Sequence, residues 1–353
     1  MKILFLVLIL LHAGIHFLGL RKAPQVGWLW VLTGILLLVF AYLYFREVNY
    51  AWLAGGVAIL ISQWLLISNW KDARYGTILN LLLLFIVLVE FGAFRMLKHF
   101  DLLIASRLKN NPTNSSQLVT ETDMVHLPPI VKKYLSYTNS LGKPKIFNFR
   151  AVFKGGMRSN PDDSYMPMKT IQYNFTEEPS RFFRFTATKA GMPVAGIHRY
   201  DSAGAIFKVK LLNWFPIIDA KGDQLKQAET VTVLNDFCFI APGALIDKRI
   251  QWEQVNDTVV IARFTNPPCT VRAHLYFSVE GQLVNFISND RFETDGKTYK
   301  NYPWLTPVSD YKELNGYRLG TRAGLWYDRP DGKFQYGELE LVEVEYNVAR
   351  SLD

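Results

Sequence analysis

Apolar residues dominate the N-terminal part of the chain, in runs long enough to cross a bilayer. Each run approaches the roughly 20 residues that span about 30 Å of hydrocarbon as a helix. The four segments are Ile3–Leu20, Val26–Phe45, Ala51–Ile67 and Gly76–Phe94. Because the connections between them are short, we predict an up-down bundle of four transmembrane helices over residues 1–96.

A few polar side chains interrupt these spans. His16, Gln63 and Asn80 each lie four residues inside one end of their segment, on the same side of the predicted bundle. Lipid offers such groups no hydrogen-bond partner, so we expect them to face one another. His12 shares the helix face of His16, which is the better functional candidate of the two. Two interpretations stay open: contacts between helices, and a site for a proton, an ion or a lipid headgroup.

After the spans, residues 97–125 combine a predicted juxtamembrane helix with the polar linker NNPTNSSQ at 110–117. A second domain occupies residues 126–353 and begins with LPPIVKKYLSYT. Proline suits the first turn of a helix, so Pro128 and Pro129 predict a short helix there.

From Lys145 onward the pattern alternates as in β-strands. Segments such as KIFNFRAVFK, RFFRFTATKA and FQYGELELVEVEYNV are separated by turn sequences, with a Gly–Gly turn predicted at 155–156. About ten short strands joined by hairpins favour one large antiparallel sheet. The exception, QLKQAETVTVLNDFCFIAPGALI, is apolar at helical spacing and predicts a helix, interrupted at Pro242 and packed on the sheet. The predicted fold is thus a four-helix transmembrane bundle followed by an α+β domain, a curved half-barrel with a helix on its concave face.

Such a half-barrel leaves a gap between sheet and helix that aromatic side chains can line. The candidates in this sequence are Trp214, Phe237, Trp252, Trp304 and Trp326. Aromatic positions in strands are also ordinary core positions, so simple core packing remains the alternative.

Three polar residues near the predicted gap are further candidates for ligand binding. Asp236 lies on the inserted helix, and Asp290 and Arg291 follow a strand. Neighbours in a strand point to opposite faces, which weakens Asp290 and Arg291 as a catalytic couple. Asp236 and Arg291 could join helix to sheet as an ion pair, or Arg291 could hold a headgroup with its planar fork. Cys238 as a nucleophile needs a base that only folding could supply.

Charge and motif content narrow the function classes. The formal net charge is +8, but Lys and Arg are scattered without a basic run, which favours an anionic membrane surface over nucleic acid. The sequence contains no metal-binding, nucleotide-binding or hydrolase motif, so we predict no metal and no cofactor. Cys238 and Cys269 fit either a disulfide or two free thiols. Charges flanking the spans do not decide which side of the membrane the second domain occupies.

Several longer strings carry a resemblance. QAETVTVLNDFCFIAPGALIDKRIQWE, LVNFISNDRFETDG, YPWLTPVSDY and LWYDRPDGKFQYGELELVEVEYNV resemble an uncharacterised bacterial family of membrane-anchored β-domain proteins, a domain of unknown function. ILFLVLILLHAGIHFLGLRKA and NWKDARYGTILN are similar to the membrane part of its longer members. The resemblance implies no known activity. The outline of sheet plus helix is also similar to lipoprotein-carrier half-barrels, which hold acyl chains.

Three functions are compatible with these observations. The first is a non-enzymatic, multi-pass protein of the cell membrane that binds a lipid or other amphipathic small molecule in the gap between sheet and helix. The second is a hydrolase or transferase acting on a membrane-derived substrate through Asp236, Asp290 or Cys238, which requires at least two of these groups to converge. The third is a structural domain that binds another protein through an exposed apolar patch.

Overall fold

The computed structural model describes residues 2–19, 26–111 and 116–350. Position 20, predicted to end the first span, and positions 112–115 of the predicted linker lie outside these residues. The chain divides into two compact units, the first comprising residues up to His99 with Ala190–Met192 and Leu212–Phe215. The second unit holds the remaining residues from Phe100 onward.

The helices of the chain agree closely with the predicted spans, except that the last one continues much further. They are α1 (Lys2–Gly19), α2 (Gly27–Phe45), α3 (Ala51–Ser68), α4 (Trp70–Ala73), α5 (Gly76–Lys109), α6 (Pro129–Tyr137) and α7 (Asp223–Phe239). Among the described residues, α1, α2, α3 and α5 are long and apolar enough to cross a membrane. From Phe100 onward, α5 belongs to the second unit.

In the first unit, small residues allow the helices to approach closely. A Cβ atom at Gly55 would lie 2.7 Å from the side chain of Val87, so α3 and α5 come together at this glycine. Such small-residue contacts favour helix association in lipid, where no hydrophobic driving force acts between helices. Ile9, Leu37 and Phe40 are fully buried in the resulting core.

Over the described residues the chain contains sixteen strands, more than the ten or so predicted. They are β1 (Asn148–Met157), β2 (Met166–Phe175), β3 (Ser180–Lys189), β4 (Met192–Asp201), β5 (Gly204–Leu211), β6 (Phe215–Lys221), β7 (Ile250–Gln254), β8 (Val259–Asn266), β9 (Cys269–Phe277), β10 (Leu283–Ser288), β11 (Phe292–Thr294), β12 (Tyr299–Asn301), β13 (Trp304–Leu305), β14 (Val308–Leu314), β15 (Tyr317–Arg329) and β16 (Gly332–Tyr346).

Fourteen of these strands form one curved antiparallel half-barrel sheet, with the order β6-β5-β4-β3-β2-β1-β16-β15-β13-β10-β9-β8-β7 and β14 paired to β15. β11 and β12 form a separate hairpin. Most neighbouring strands of the described sheet follow one another in sequence, whereas β1 and β16 pair although they lie far apart in the chain. As predicted, the sheet is antiparallel and carries a helix, α7, on its concave face.

Two turns differ from the sequence prediction. Gly155 and Gly156 do not form a turn, because both lie within β1 and pair with β2 and β16. A Cβ at Gly155 would lie 2.0 Å from the carbonyl oxygen of Glu338, so glycine is needed there for close strand approach. The segment YKELNGYRL, whose pattern predicts a strand, instead contains a hairpin turn: Asn315 and Gly316 have φ of 49° and 77°, the left-handed pair that suits a tight hairpin.

The main core lies between α7 and the concave face. Val231, Leu234 and Phe237 of α7 are fully buried there against the strands. On the outer face of β2 and β3, the C-terminal part of α5 packs Phe100 against Tyr173, in a cluster that includes Phe182. Strands β2 and β3 are therefore covered on both faces, so their inward-facing polar side chains are buried against α7.

Candidate functional site

The polar face of α7 is the starting point of the site. Glu229, Thr232 and Asp236 follow one another at spacings of three and four residues, which places them on one side of the helix. All three are buried, with Glu229 only 1% exposed. Buried carboxylates require partners, so the strands facing this side of α7 must supply hydrogen-bond donors.

Arg181 of β3 supplies most of these donors. Its Nε donates to Oδ2 of Asp236 at 2.9 Å, and its Nη1 donates to Oε2 of Glu229 at 3.2 Å. Its Nη2 donates to Oε1 of Gln172 at 3.3 Å, and the guanidinium lies 4.5 Å from the ring centre of Phe183. The arginine thus pairs with the two buried carboxylates of α7 and joins helix to sheet.

Strand β2 contributes amides to the same cluster. Tyr173 and Phe175 occupy the outer face, so the alternating residues Gln172 and Asn174 point inward toward α7. The Asn174 amide donates to Oδ2 of Asp236 at 2.9 Å, and the Gln172 amide donates to Oδ1 of Asn174 at 3.0 Å. Burial raises the pKa of Asp236, although Arg181 and Asn174 favour its ionised form.

His198 of β4 completes the ring around Glu229. Its Nδ1 lies 3.1 Å from Oε1 of Glu229. Burial alone would raise the pKa of Glu229, but His198, Arg181 and Arg291 outweigh it and hold that pKa at about 2. Burial lowers the pKa of His198, because an imidazolium is poorly solvated there. A neutral His198 facing a carboxylate carries its proton on Nδ1, since only that tautomer can donate to Glu229.

Arg291, in the segment between β10 and β11, approaches α7 from the other side. Its Nε donates to the Thr232 hydroxyl at 3.3 Å, and its Nη1 donates to the hydroxyl of Tyr327. The guanidinium lies 4.4 Å from the ring centre of Trp304. The Trp304 indole N–H in turn donates to the Tyr336 hydroxyl at 2.9 Å. Arg291 is therefore held by neutral groups.

A cavity of about 110 Å³ lies among these residues, in the gap between α7 and the sheet. Its polar side carries Arg181, His198, Asp236 and Arg291. Its apolar side is formed by side chains of β1, β14, β15 and β16, namely Phe153, Met157, Val308, Ala323, Leu325, Leu339 and Leu341. The cavity therefore has two chemically different sides, as a site for an amphipathic molecule requires.

Of the aromatic candidates, Trp304 alone is among the residues that line this cavity. Phe237 is fully buried in the core, with its ring centre 6.0 Å from that of Phe264. Trp252 lies in the edge strand β7 and Trp326 in β15, both half-buried and away from the cavity lining. Trp214 belongs to the first unit, where its indole N–H donates to the carbonyl of Leu88 at 2.6 Å.

The polar candidates separate in a similar way. Asp236 and Arg291 both line the cavity, but Asp236 pairs with Arg181 rather than with Arg291, so the suggested ion pair between Asp236 and Arg291 is wrong. The Asp290 carboxylate accepts a hydrogen bond from the backbone N–H of Arg272 at 2.6 Å, which holds the chain after β10.

Cys238 is fully buried, and burial with the nearby Asp236 raises the pKa of its thiol. A thiol in such surroundings stays protonated and is a poor nucleophile. Cys238 and Cys269 are both free, so the two do not form a disulfide. Over residues 2–19, 26–111 and 116–350, no group of three His, Cys, Asp or Glu side chains is placed to hold a metal ion.

The polar residues of the first unit form a network centred on Asn80. Its Oδ1 lies 2.8 Å from Nε2 of His12 and accepts a bond from the Ser62 hydroxyl at 2.9 Å. Its Nδ2 donates to Oε1 of Gln63 at 3.0 Å. His16 instead places its Nδ1 3.0 Å from the carbonyl of His12, on its own helix. The prediction that His16 faces Gln63 and Asn80 is therefore wrong by one helical turn, because His12 occupies that position.

The sequence profile of the Family of unknown function (DUF6544) matches residues 117–339. The chain belongs to this family. The matched residues include α7 and nearly all of the cavity lining, and the family is one of unknown function, as the resemblance implied. A comparison of the chain with curated proteins finds no match.

Two of the solved structures that the chain matches belong to other families. The DUF6544 chain is similar to a LolA superfamily protein from Nitrosomonas europaea, with 10% identity, a TM-score of 0.33, and coverage of 64% of this chain and 93% of that one. It is also similar to a DUF1329 family protein from Desulfovibrio piger, with 8% identity, a TM-score of 0.36, and coverage of 67% and 96%.

Sequence reasoning missed the centre of the polar cluster in this DUF6544 domain. Arg181 and Glu229 carry it, and neither was a candidate. Two sequence signals were present. In TIQYNF, the polar residues Thr170, Gln172 and Asn174 alternate with apolar ones, and Glu229 lies seven residues, or two helical turns, before Asp236. If a helix and a strand are known to pack together, polar residues on their facing sides indicate a buried hydrogen-bond network.

Proposed function

We propose that this protein is a membrane-anchored, non-enzymatic module that binds a lipid or other amphipathic molecule between α7 and the concave face of the sheet. The observation that carries the proposal is the two-sided cavity. Charged and amide groups lie at α7 and the adjacent strands β2, β3 and β4, whereas β15 and β16 present aliphatic side chains. A binding site of this kind is mainly apolar, with a few polar groups that orient the ligand.

The size of the cavity limits what it can hold in this conformation. Its volume is about 110 Å³. An engineered cavity of about 150 Å³ accepts benzene, so a short part of a ligand fits here but a complete acyl chain does not. Binding of a long chain therefore requires α7 to separate further from β15 and β16, or leaves part of the chain outside.

The four apolar helices supply the second half of the proposal. Lys2–Gly19, Gly27–Phe45, Ala51–Ser68 and Gly76–Lys109 are each long and apolar enough to cross a bilayer. Helices of this kind would hold the binding domain at a membrane, the source of amphipathic molecules. Among the described residues the enzyme hypothesis finds less support, because the Asp290 carboxylate accepts a hydrogen bond from the backbone N–H of Arg272 and Cys238 is fully buried as a thiol.

Photo-crosslinking of the full chain in membranes tests this proposal. Membranes containing the protein are incubated with a diazirine-bearing palmitate, irradiated, and analysed by peptide mass spectrometry. Adducts are expected on β16 peptides that contain Leu339 and Leu341. Ala323→Leu adds three carbon atoms to the apolar side and should abolish these adducts.

The neighbouring residue provides a matched control. Arg322 of β15 is exposed on the opposite face of the strand, so Arg322→Leu introduces the same side chain outside the cavity and should leave the adducts unchanged. Adducts confined to the four apolar helices in the wild-type chain would refute binding in the gap.

A further inference from the structure

The two arginines at the cavity differ in their direct partners. Two arginines, Arg181 and Arg291, line it together with one carboxylate, that of Asp236. Arg181 uses that carboxylate and also Glu229, which lies behind the lining. Among the described residues, no carboxylate oxygen lies within 4.0 Å of the Arg291 side chain. Arg291 is thus a cavity-lining cation without a direct counter-ion.

The surroundings of Arg291 hold it in one orientation. Its Nε and Nη1 donate to two neutral hydroxyl groups, those of Thr232 and Tyr327. The ring of Trp304 covers one face of the guanidinium. An arginine has five N–H donors in a fixed fork, so these bonds leave the donors of Nη2 for another group. A pre-oriented fork is well suited to bind a carboxylate or phosphate.

Other half-buried arginines of the second unit do not combine these features. Arg329 pairs with Glu293, and Arg107 pairs with Asp201 at 3.1 Å. Arg158 resembles Arg291 in lying over an aromatic ring, at 4.8 Å from the centre of Tyr165, but it is not among the residues that line the cavity. Arg291 lines the cavity, is held in one orientation and has no carboxylate in direct contact.

We infer that the ligand of this cavity carries an anionic oxygen group, a carboxylate or a phosphate, which binds to Arg291 while the apolar part lies against Leu325 and Leu339. This inference rests on the proposed function and specifies the class of its ligand. The anion supplies the direct ion-pair partner that Arg291 lacks, and a charge-assisted hydrogen bond is about twice as strong as a neutral one.

Calorimetric titration of the full chain in phosphatidylcholine nanodiscs tests the inference, with empty nanodiscs correcting for partition into lipid. The titrants are octyl phosphate, 1-octanol and inorganic phosphate. Octyl phosphate should bind the wild-type chain, and Arg291→Gln should weaken it about 10- to 100-fold, the loss expected for hydrogen bonds to a charged group. Arg158→Gln should leave octyl phosphate binding unchanged.

1-Octanol separates this inference from the proposed function. It should bind the wild-type chain and Arg291→Gln equally, which also shows that the variant retains a folded cavity. If octyl phosphate binds Arg291→Gln as tightly as the wild type, the anionic ligand is refuted while the amphipathic site stands. If neither amphiphile binds the wild type, both proposals are wrong. Inorganic phosphate binding as tightly as octyl phosphate would support the anion site but refute an amphipathic ligand.

Discussion

Arg181 is the buried cation on which the polar cluster of the second unit depends, and removing it should be among the most damaging single changes in the chain. The guanidinium pairs with Asp236 at 2.9 Å and with Glu229 at 3.2 Å. Arg181→Met keeps a long apolar side chain but removes the charge and every donor. Two carboxylates then remain buried with only His198 and neutral amides as direct partners.

The expected magnitude follows from this geometry. Removing one partner of a buried ion pair costs about 3–5 kcal/mol, because the remaining charge is left without compensation. A neutral buried hydrogen bond contributes only about 0.5–1.5 kcal/mol. The triple variant Arg181→Met, Glu229→Gln, Asp236→Asn should therefore recover most of the lost stability, because it removes the charges together.

Hydrogen exchange followed by mass spectrometry on the full chain in detergent micelles measures the effect locally. Peptides from α7 report opening of the second unit separately from the four-helix bundle, which a single melting temperature would not do. Arg181→Met should speed exchange of the α7 amides about 10²- to 10⁴-fold, the equivalent of the expected free-energy loss. Peptides from α1 to α3 provide the internal control and should not change.

Two results would refute this reasoning. A loss below about 1 kcal/mol in Arg181→Met would show that the carboxylates find water or other donors when the arginine is removed. A triple variant no more stable than the single variant would show that packing, rather than unpaired charge, determines the loss.

Three further predictions concern pH, backbone packing and the helix bundle. Glu229 has a pKa of about 2 in the folded chain against an ordinary value of 4.5, so its contribution of about 3 kcal/mol should disappear as pH falls from about 4.5 to about 2. In Glu229→Gln the urea midpoint of unfolding should depend less on pH over this range, and a variant with the pH dependence of the wild type would contradict the assignment. Gly155→Ala should destabilise the second unit by more than about 2 kcal/mol in urea unfolding, because the added Cβ would meet the backbone oxygen of Glu338. Gly243→Ala is the control and should be tolerated, because its Cβ would lie 3.5 Å from the nearest atom, in the Ile146 side chain. Asn80→Leu should weaken the bundle by about 1–2 kcal/mol in a steric-trapping assay, while His16→Phe should have little effect; equal losses would refute the central position of Asn80.

Sequence alone determined the elements whose signals are local. The four spans were predicted within a residue or two at most ends, because crossing a bilayer requires only a continuous apolar run of sufficient length. The helix α7 and its break near Pro242 follow from helical spacing and the missing N–H of proline. The antiparallel sheet follows from alternation and hairpin turns, which depend on neighbours in sequence.

The tertiary structure decided which faces are inside and which charges meet. In β2, alternation separates Gln172 and Asn174 from Tyr173 and Phe175, but both sets are buried, one by α7 and the other by the end of α5. A two-residue period defines two faces without showing which of them meets a polar helix. The partner of Asp236 is Arg181, 55 residues earlier in the chain. Such a pair is formed by strand order and helix placement, which depend on the free energy of the whole fold rather than on any local pattern.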